Sequence, residues 1–233
     1  MQLTTRDAAR LLGVSETTLH RWLKSGELNA TRVNDQYRFN RVDLLEFAAG
    51  RSLDISPELL AHLETDHAQL PSLAEALRQG GVHRGISGGD KATILRAVVE
   101  RLPLEGAAER ELLHRVLLAR EALGSTAFGN GIAIPHARNP IVLRVRRPEV
   151  AICYLDAPVE FEALDGKPVH TLVTLVSPST RAHLHLLAVV ATALRDPGVL
   201  AKLEARAGVD ELAPELARVE GSLAARRAGA AAS

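Results

Sequence analysis

The chain has 233 residues, enough for one large or two modest domains with a buried core. Its 28 basic and 28 acidic side chains cancel, which argues against a strongly basic nucleic-acid coat but leaves room for a local basic face. The single Cys153 permits neither an intrachain disulfide nor a cysteine-rich metal site, and no apolar run approaches the ~18–20 residues of a membrane span. The polar start, MQLTTRDAAR, lacks a secretory core, so a reducing cytoplasm is the expected compartment.

The first 48 residues read as one small unit. Thr4 caps a helix whose apolar face is Ala8, Ala9, Leu11 and Leu12, with Asp7 at its positive end. Gly13-Val14 breaks that helix, and Ser15 caps a second over Glu16–Lys24, which turns Leu19, Trp22 and Leu23 inward. Thr31-Arg32-Val33 and Tyr37-Arg38-Phe39 flank a polar turn at Asn34-Asp35 and predict a hairpin. Asn40 caps a last helix carrying Val42, Leu44, Leu45 and Phe47.

The run LTTRDAARLLGVSETTLHRWLKSGEL followed by YRFNRVDLLEF resembles the winged helix-turn-helix of the excisionase and MerR-like DNA-binding family. The resemblance implies that the second helix enters the major groove and the hairpin meets backbone or minor groove. It makes Ser15, Thr17, Thr18, Arg21 and Lys24 DNA-facing candidates, with Arg32, Gln36 and Arg38 on the wing. Up to residue 41 there are seven basic and four acidic residues, a net of +3. So weak a charge implies that one copy binds DNA poorly and that a homodimer or a partner assists.

Residues 50–68 read as a helical linker, with Ser56-Pro57 opening a helix and Leu59, Leu60 and Leu63 forming a narrow stripe. A second domain follows over 69–221. Its expected elements are helices Ser72–Gln79, Lys91–Leu102, Ala107–Leu123, Thr180–Leu194, Pro197–Ala205 and Asp210–Val219. The expected strands are Val82–Ile86, Val150–Leu155, Val159–Phe161 and Val169–Val176, the last apolar enough to be central. Interleaved helices and strands predict an α/β fold with a mixed sheet flanked by helices. Residues 222–233 read as a flexible tail. The stretch Gly85–Lys91 fails as a phosphate loop, because Asp90-Lys91-Ala92 stands where Gly, Lys and Ser or Thr are required.

The stretch richest in chemistry is GSTAFGNGIAIPHARNP, residues 124–140. Gly124, Gly129 and Gly131 suit a loop with unusual backbone angles, whose free amides beside Ser125, Thr126 and Asn130 can hold an anion. Pro135 sets His136 at a strand end, and a reachable neutral imidazole there is a nucleophile towards phosphorus. Asn130–Ala137 preceded by Gly124-Ser125-Thr126 resembles the active-site signature of the enzyme IIA domains of the bacterial phosphotransferase system, in their mannitol/fructose and nitrogen-regulatory branch.

That resemblance, over about residues 70–218, implies that His136 accepts a phosphoryl group from a histidine phosphocarrier protein and passes it to an enzyme IIB or a regulatory protein. It matches Arg120 to the family's active-site arginine and His183 to its second histidine. Ser125, Thr126, Asn130 and Gly131 are then expected to bind the phosphate. His185 lies on another side of its helix, no metal set converges, and no cofactor is expected. Glu160 and Glu162 read as solvated strand-edge acids. No enzyme IIB or IIC segment is legible, so a regulatory role is expected over transport. The alternative expectation is a DNA-binding transcription regulator switched by phosphorylation of the second domain.

Overall fold

The computed structural model describes residues 3–51, 53, 70–104, 106–137 and 145–231. The expected linker helix at 56–63 lies outside them. The small N-terminal unit forms from local signals. Helix α1 (Thr5–Leu11) begins on Thr4, whose hydroxyl accepts from the Asp7 amide at 3.2 Å while Asp7 accepts from the Thr4 amide at 3.2 Å. Helix α2 (Glu16–Lys24) starts on Ser15, which accepts from the Thr18 amide at 3.1 Å. The hairpin of β1 (Thr31–Val33) and β2 (Gln36–Arg38) turns through Asn34 and Asp35, both at positive φ. Helix α3 (Arg41–Gly50) closes the unit. Leu11, Leu19, Trp22, Phe39, Leu44 and Leu45 form its buried centre.

The larger unit carries α4 (Leu73–Gly80), β3 (Val82–Ile86), α5 (Lys91–Val99), α6 (Ala107–Glu121), β4 (Ala127–Gly129) and β5 (Ile132–Ala133). It continues with β6 (Glu149–Val159), β7 (Val169–Val176), α7 (Thr180–Ala193), α8 (Pro197–Glu204) and α9 (Val209–Ala231). The sheet order is β3-β6-β7-β5-β4. Pairs β3–β6 and β5–β7 are parallel, whereas β6–β7 and β4–β5 are antiparallel, so the sheet is mixed.

Helices cover both faces. Val150, Ile152 and Tyr154 of β6, with Val173 and Leu175 of β7, pack into one apolar layer with α4, α7, α8 and α9. The alternate residues Ala151, Cys153 and Leu155, with Leu172 and Val176, pack into the other with α5 and α6. Two buried faces explain why β7 reads as an almost unbroken apolar run. No single helix among the described residues is long and apolar enough to cross a membrane.

Several expected boundaries move. Of the separate strand expected at 159–161, only Val159 is in a strand, as the last residue of β6, reached through an irregularity between Tyr154 and Val159. The stretch 127–129, expected as loop, is strand β4. Ser72 does not cap α4 with its own side chain; its hydroxyl donates to Glu220 at 2.9 Å, and the same carboxylate accepts from the Leu73 amide at 3.0 Å. Helix α9 runs on to Ala231, through residues expected to form a tail.

The two units share apolar packing. Leu184 and Ala188 of α7 join the N-terminal cluster around Leu44, Leu45 and Ala48, and Ala49 of α3 joins the layer under the sheet.

Candidate functional site

The apolar run of β5 stays in register with β7 beyond the strand itself. The Leu175 amide donates to the Pro135 carbonyl at 3.2 Å, and His136 bridges Leu175 in the parallel sense. The imidazole Nδ1 lies 2.7 Å from the Ile134 carbonyl. A carbonyl only accepts, so Nδ1 carries the proton and Nε2 the lone pair. Nε2 is buried and has no hydrogen-bond partner.

Three side chains surround this nitrogen's ring. His183 comes from the first turn of α7, which starts on Ser179 as that hydroxyl accepts from the Ala182 amide at 3.2 Å. Its ring centroid is 5.5 Å from that of His136, and neither of its nitrogens has a hydrogen-bond partner. Arg120 comes from the last turn of α6; its Nη1 donates to the Gly124 carbonyl at 3.0 Å. Its Nε is 3.6 Å from a carboxylate oxygen of Glu46, on α3 of the other unit. Glu46, His136 and His183 each offer a donor atom within 4.8 Å of the others.

The electrostatics keep both rings neutral. Burial, then the His183 ring and the Arg120 guanidinium, hold His136 well below its ordinary value of 6.5, against the opposing pull of the Ile134 carbonyl. Burial alone brings His183 down to about 4. An imidazole neutral at pH 7 keeps its lone pair for attack. The ring is not reachable in the way expected, however. His136 is 4% exposed and His183 1%, because α3 covers them. Proximity alone would let Glu46 and the two histidines hold a divalent cation. The guanidinium beside the carboxylate opposes a dication and favours an anion at the same spot.

The proposed phosphate donors do not gather around His136. Asn130 and Gly131 have φ of 52° and 71° and form the two-residue turn between β4 and β5. Ile132 pairs with Thr171 and His136 with Leu175, so the turn lies at the other end of β7, about 13 Å away at ~3.3 Å per residue. The Asn130 amide donates to Asp165 at 2.9 Å, and the Gly131 carbonyl accepts from the His170 amide at 2.8 Å. Thr126 is also committed: its amide and hydroxyl donate to Glu121, at 3.1 and 2.7 Å. Ser125 donates to the Phe161 carbonyl and accepts from the Ala127 amide, yet it lines the same cleft as Arg120 and Glu46. His185 faces Glu220 of α9 at 3.9 Å, away from the pair.

On the small unit, Thr17, Arg21 and Lys24 are exposed at a spacing that makes one stripe of α2. The Ser15 hydroxyl caps α2 and lies 3.0 Å from that of Thr18. Arg32 pairs with Asp35 at 2.9 Å, and Arg38 donates to Gln36 at 2.7 Å, on the exposed hairpin. The residue that sequence reasoning missed is Glu46. Its signal was an acid in LLEFAA, a helical stretch otherwise apolar on all sides, which is the pattern of a buried helix.

The helix-turn-helix domain profile matches residues 3–52, and the profile of the phosphoenolpyruvate-dependent sugar phosphotransferase system, EIIA 2, matches residues 75–218. The nitrogen regulatory protein of Pseudomonas aeruginosa is 40% identical over 125 residues, covering 52% of this chain and 79% of that protein. That of Escherichia coli is 35% identical over 114 residues, covering 48% and 69%. The crystal structure of nitrogen regulatory protein IIA-Ntr from Neisseria meningitidis superposes with a TM-score of 0.53 at 29% identity, covering 62% of this chain and 98% of that one. The chain therefore belongs to the EIIA 2 family of the phosphoenolpyruvate-dependent sugar phosphotransferase system, with a helix-turn-helix domain ahead of the family domain.

Proposed function

We propose that His136 Nε2 is a phosphoryl acceptor that takes its group from the phosphohistidine of a carrier protein. The observation that carries this reading is the bond from Nδ1–H to the Ile134 carbonyl, which leaves the Nε2 lone pair facing the buried site. In the transfer, that lone pair attacks phosphorus and the donor's P–N bond breaks. The proton stays on Nδ1, where the carbonyl offsets the positive charge the ring acquires. Arg120 supplies a guanidinium to the phosphoryl oxygens, and His183, neutral and with both ring nitrogens unpartnered, has one N–H to donate to them.

A regulatory acceptor role fits the names of the relatives and the helix-turn-helix unit. The exposed stripe Thr17, Arg21 and Lys24 supports a second layer, in which the chain binds DNA and phosphorylation alters that binding. Incubation with phosphoenolpyruvate, enzyme I and the phosphocarrier should give an acid-labile, base-stable label on the wild type and none on His136→Ala. Equal label on both would reject the carrier. For the regulator, DNA retardation should differ before and after labelling, and identical salt-dependent binding in the two states would reject the switch.

A further inference from the structure

We propose that Glu46 is an internal occupant of the phosphoryl site, so that docking of the helix-turn-helix unit on the family domain and phosphorylation of His136 exclude one another. The proposal rests on the carrier reading of His136 and goes beyond it by naming what fills the site in the unphosphorylated chain.

The geometry is that of an anion seated in an anion's place. The carboxylate stands 3.6 Å from Arg120 Nε and has an oxygen within 4.8 Å of a nitrogen of each histidine. Glu46 is 8% exposed, and the Arg120 side chain 14%. A buried acid without a positive partner would be costly, and Arg120 supplies one. The guanidinium proposed to grip the transferred group is thus already paired with the other unit.

A phosphoryl group on Nε2 would bring about two negative charges into this space. Carboxylate and phosphoryl would then compete for one guanidinium in a low dielectric, where like charges repel by several kcal/mol. The escape is for α3 to leave and take Glu46 out. An exit exists beside it: a cleft of about 300 Å³ runs along the seam, with Glu46, Phe47 and Arg51 on one wall and Arg120, Ser125 and Glu162 on the other.

The coupling is reciprocal. Whatever holds the small unit off the family domain speeds phosphorylation, and phosphorylation frees the small unit from its seat. The DNA-facing candidates Thr17, Arg21 and Lys24 are already exposed while docked. What phosphorylation changes is therefore the placement of the small unit relative to the rest of the chain, not the uncovering of α2.

The test uses the full chain and phosphoramidate, a small P–N donor that needs no partner protein. His136 Nε2 displaces ammonia from phosphorus, the amine leaving as neutral ammonia from the donor's zwitterion. Phosphorus NMR follows the label in wild type, Glu46→Ala and Glu46→Gln. In parallel, spin labels at Thr17→Cys and Glu204→Cys report the distance between the units. Both Glu46 variants should label about tenfold faster than wild type. The spin-label distance should be single and narrow before phosphorylation and longer or broad after it. Glu46→Gln keeps the shape of the side chain, so its result stands even if Glu46→Ala misfolds. Equal labelling rates with an unchanged distance would overturn the plug while leaving the carrier intact. No label on any variant would overturn the carrier reading and the plug with it.

Discussion

Acidification is the perturbation that most directly probes the two buried rings. An unfolded histidine binds a proton below about 6.5, whereas folded His183 resists until about 4. Between those values the unfolded chain holds more protons, so stability falls as pH falls. Going from pH 7 to pH 5, the His183 shift alone removes about 2 kcal/mol. His136 adds to the loss in the same direction, because it too is held well below 6.5. Glu149 runs the other way. Burial raises it from 4.5 to about 7, so its penalty as an anion fades on acidification. The full shift would return about 2 kcal/mol, but solvent screening of a half-exposed group cuts this to about 1. The histidines therefore win. Urea unfolding of the wild type should show a loss of roughly 1 kcal/mol or more between pH 7 and 5, and Glu149→Gln a steeper loss of at least about 2. Proton NMR should show neither buried ring titrating near 6.5, with His183 staying neutral until about pH 4. A flat profile in Glu149→Gln, or a His183 ring titrating near 6.5, would refute the reasoning.

Three further outcomes follow from local geometry. Gly80→Ala should cost about 2 kcal/mol or more in denaturant, because its Cβ would run into the Val150 carbonyl and lie 2.9 Å from the Ala151 nitrogen, both backbone. Gly131→Ala places a side chain at φ of +71° against the His170 ring, and should cost about 1–3 kcal/mol while leaving His136 labelling intact. Loss of label without loss of stability in that variant would return the turn to the anion site. Glu121→Ala strands the buried amide and hydroxyl of Thr126 and should lower stability by about 2–3 kcal/mol, read from thermal and urea unfolding.

The sequence was most legible where structure is local. Thr4, paired with Asp7, and Ser15, paired with Thr18, cap the helices the sequence starts on them. Pro135-His136 after the apolar run Ile132-Ala133-Ile134 places the imidazole at the end of a strand, and the almost unbroken apolar run at 169–176 belongs to a strand covered on both faces. The glycine-rich stretch misled because Asn-Gly is equally a hairpin signal. β4 and β5 are so short that neither has a period to read, and the same dipeptide reads as readily as an anion-binding loop as it does as the turn between them. Other features depend on residues far apart in the chain. Glu220 caps α4 from 147 positions away through the Leu73 amide, and Glu46 meets its arginine only once the two units are docked. Nothing within a window of ten or twenty residues announces such partners.

The seating of Leu184 and Ala188 inside the N-terminal cluster has a practical consequence. A shortened protein starting at residue 70 would strip that cover and leave two aliphatic side chains of α7 facing water next to the histidine pair. Such a fragment should be stickier than the whole chain. Replacing Leu184 by serine is the simplest way to keep it from clumping.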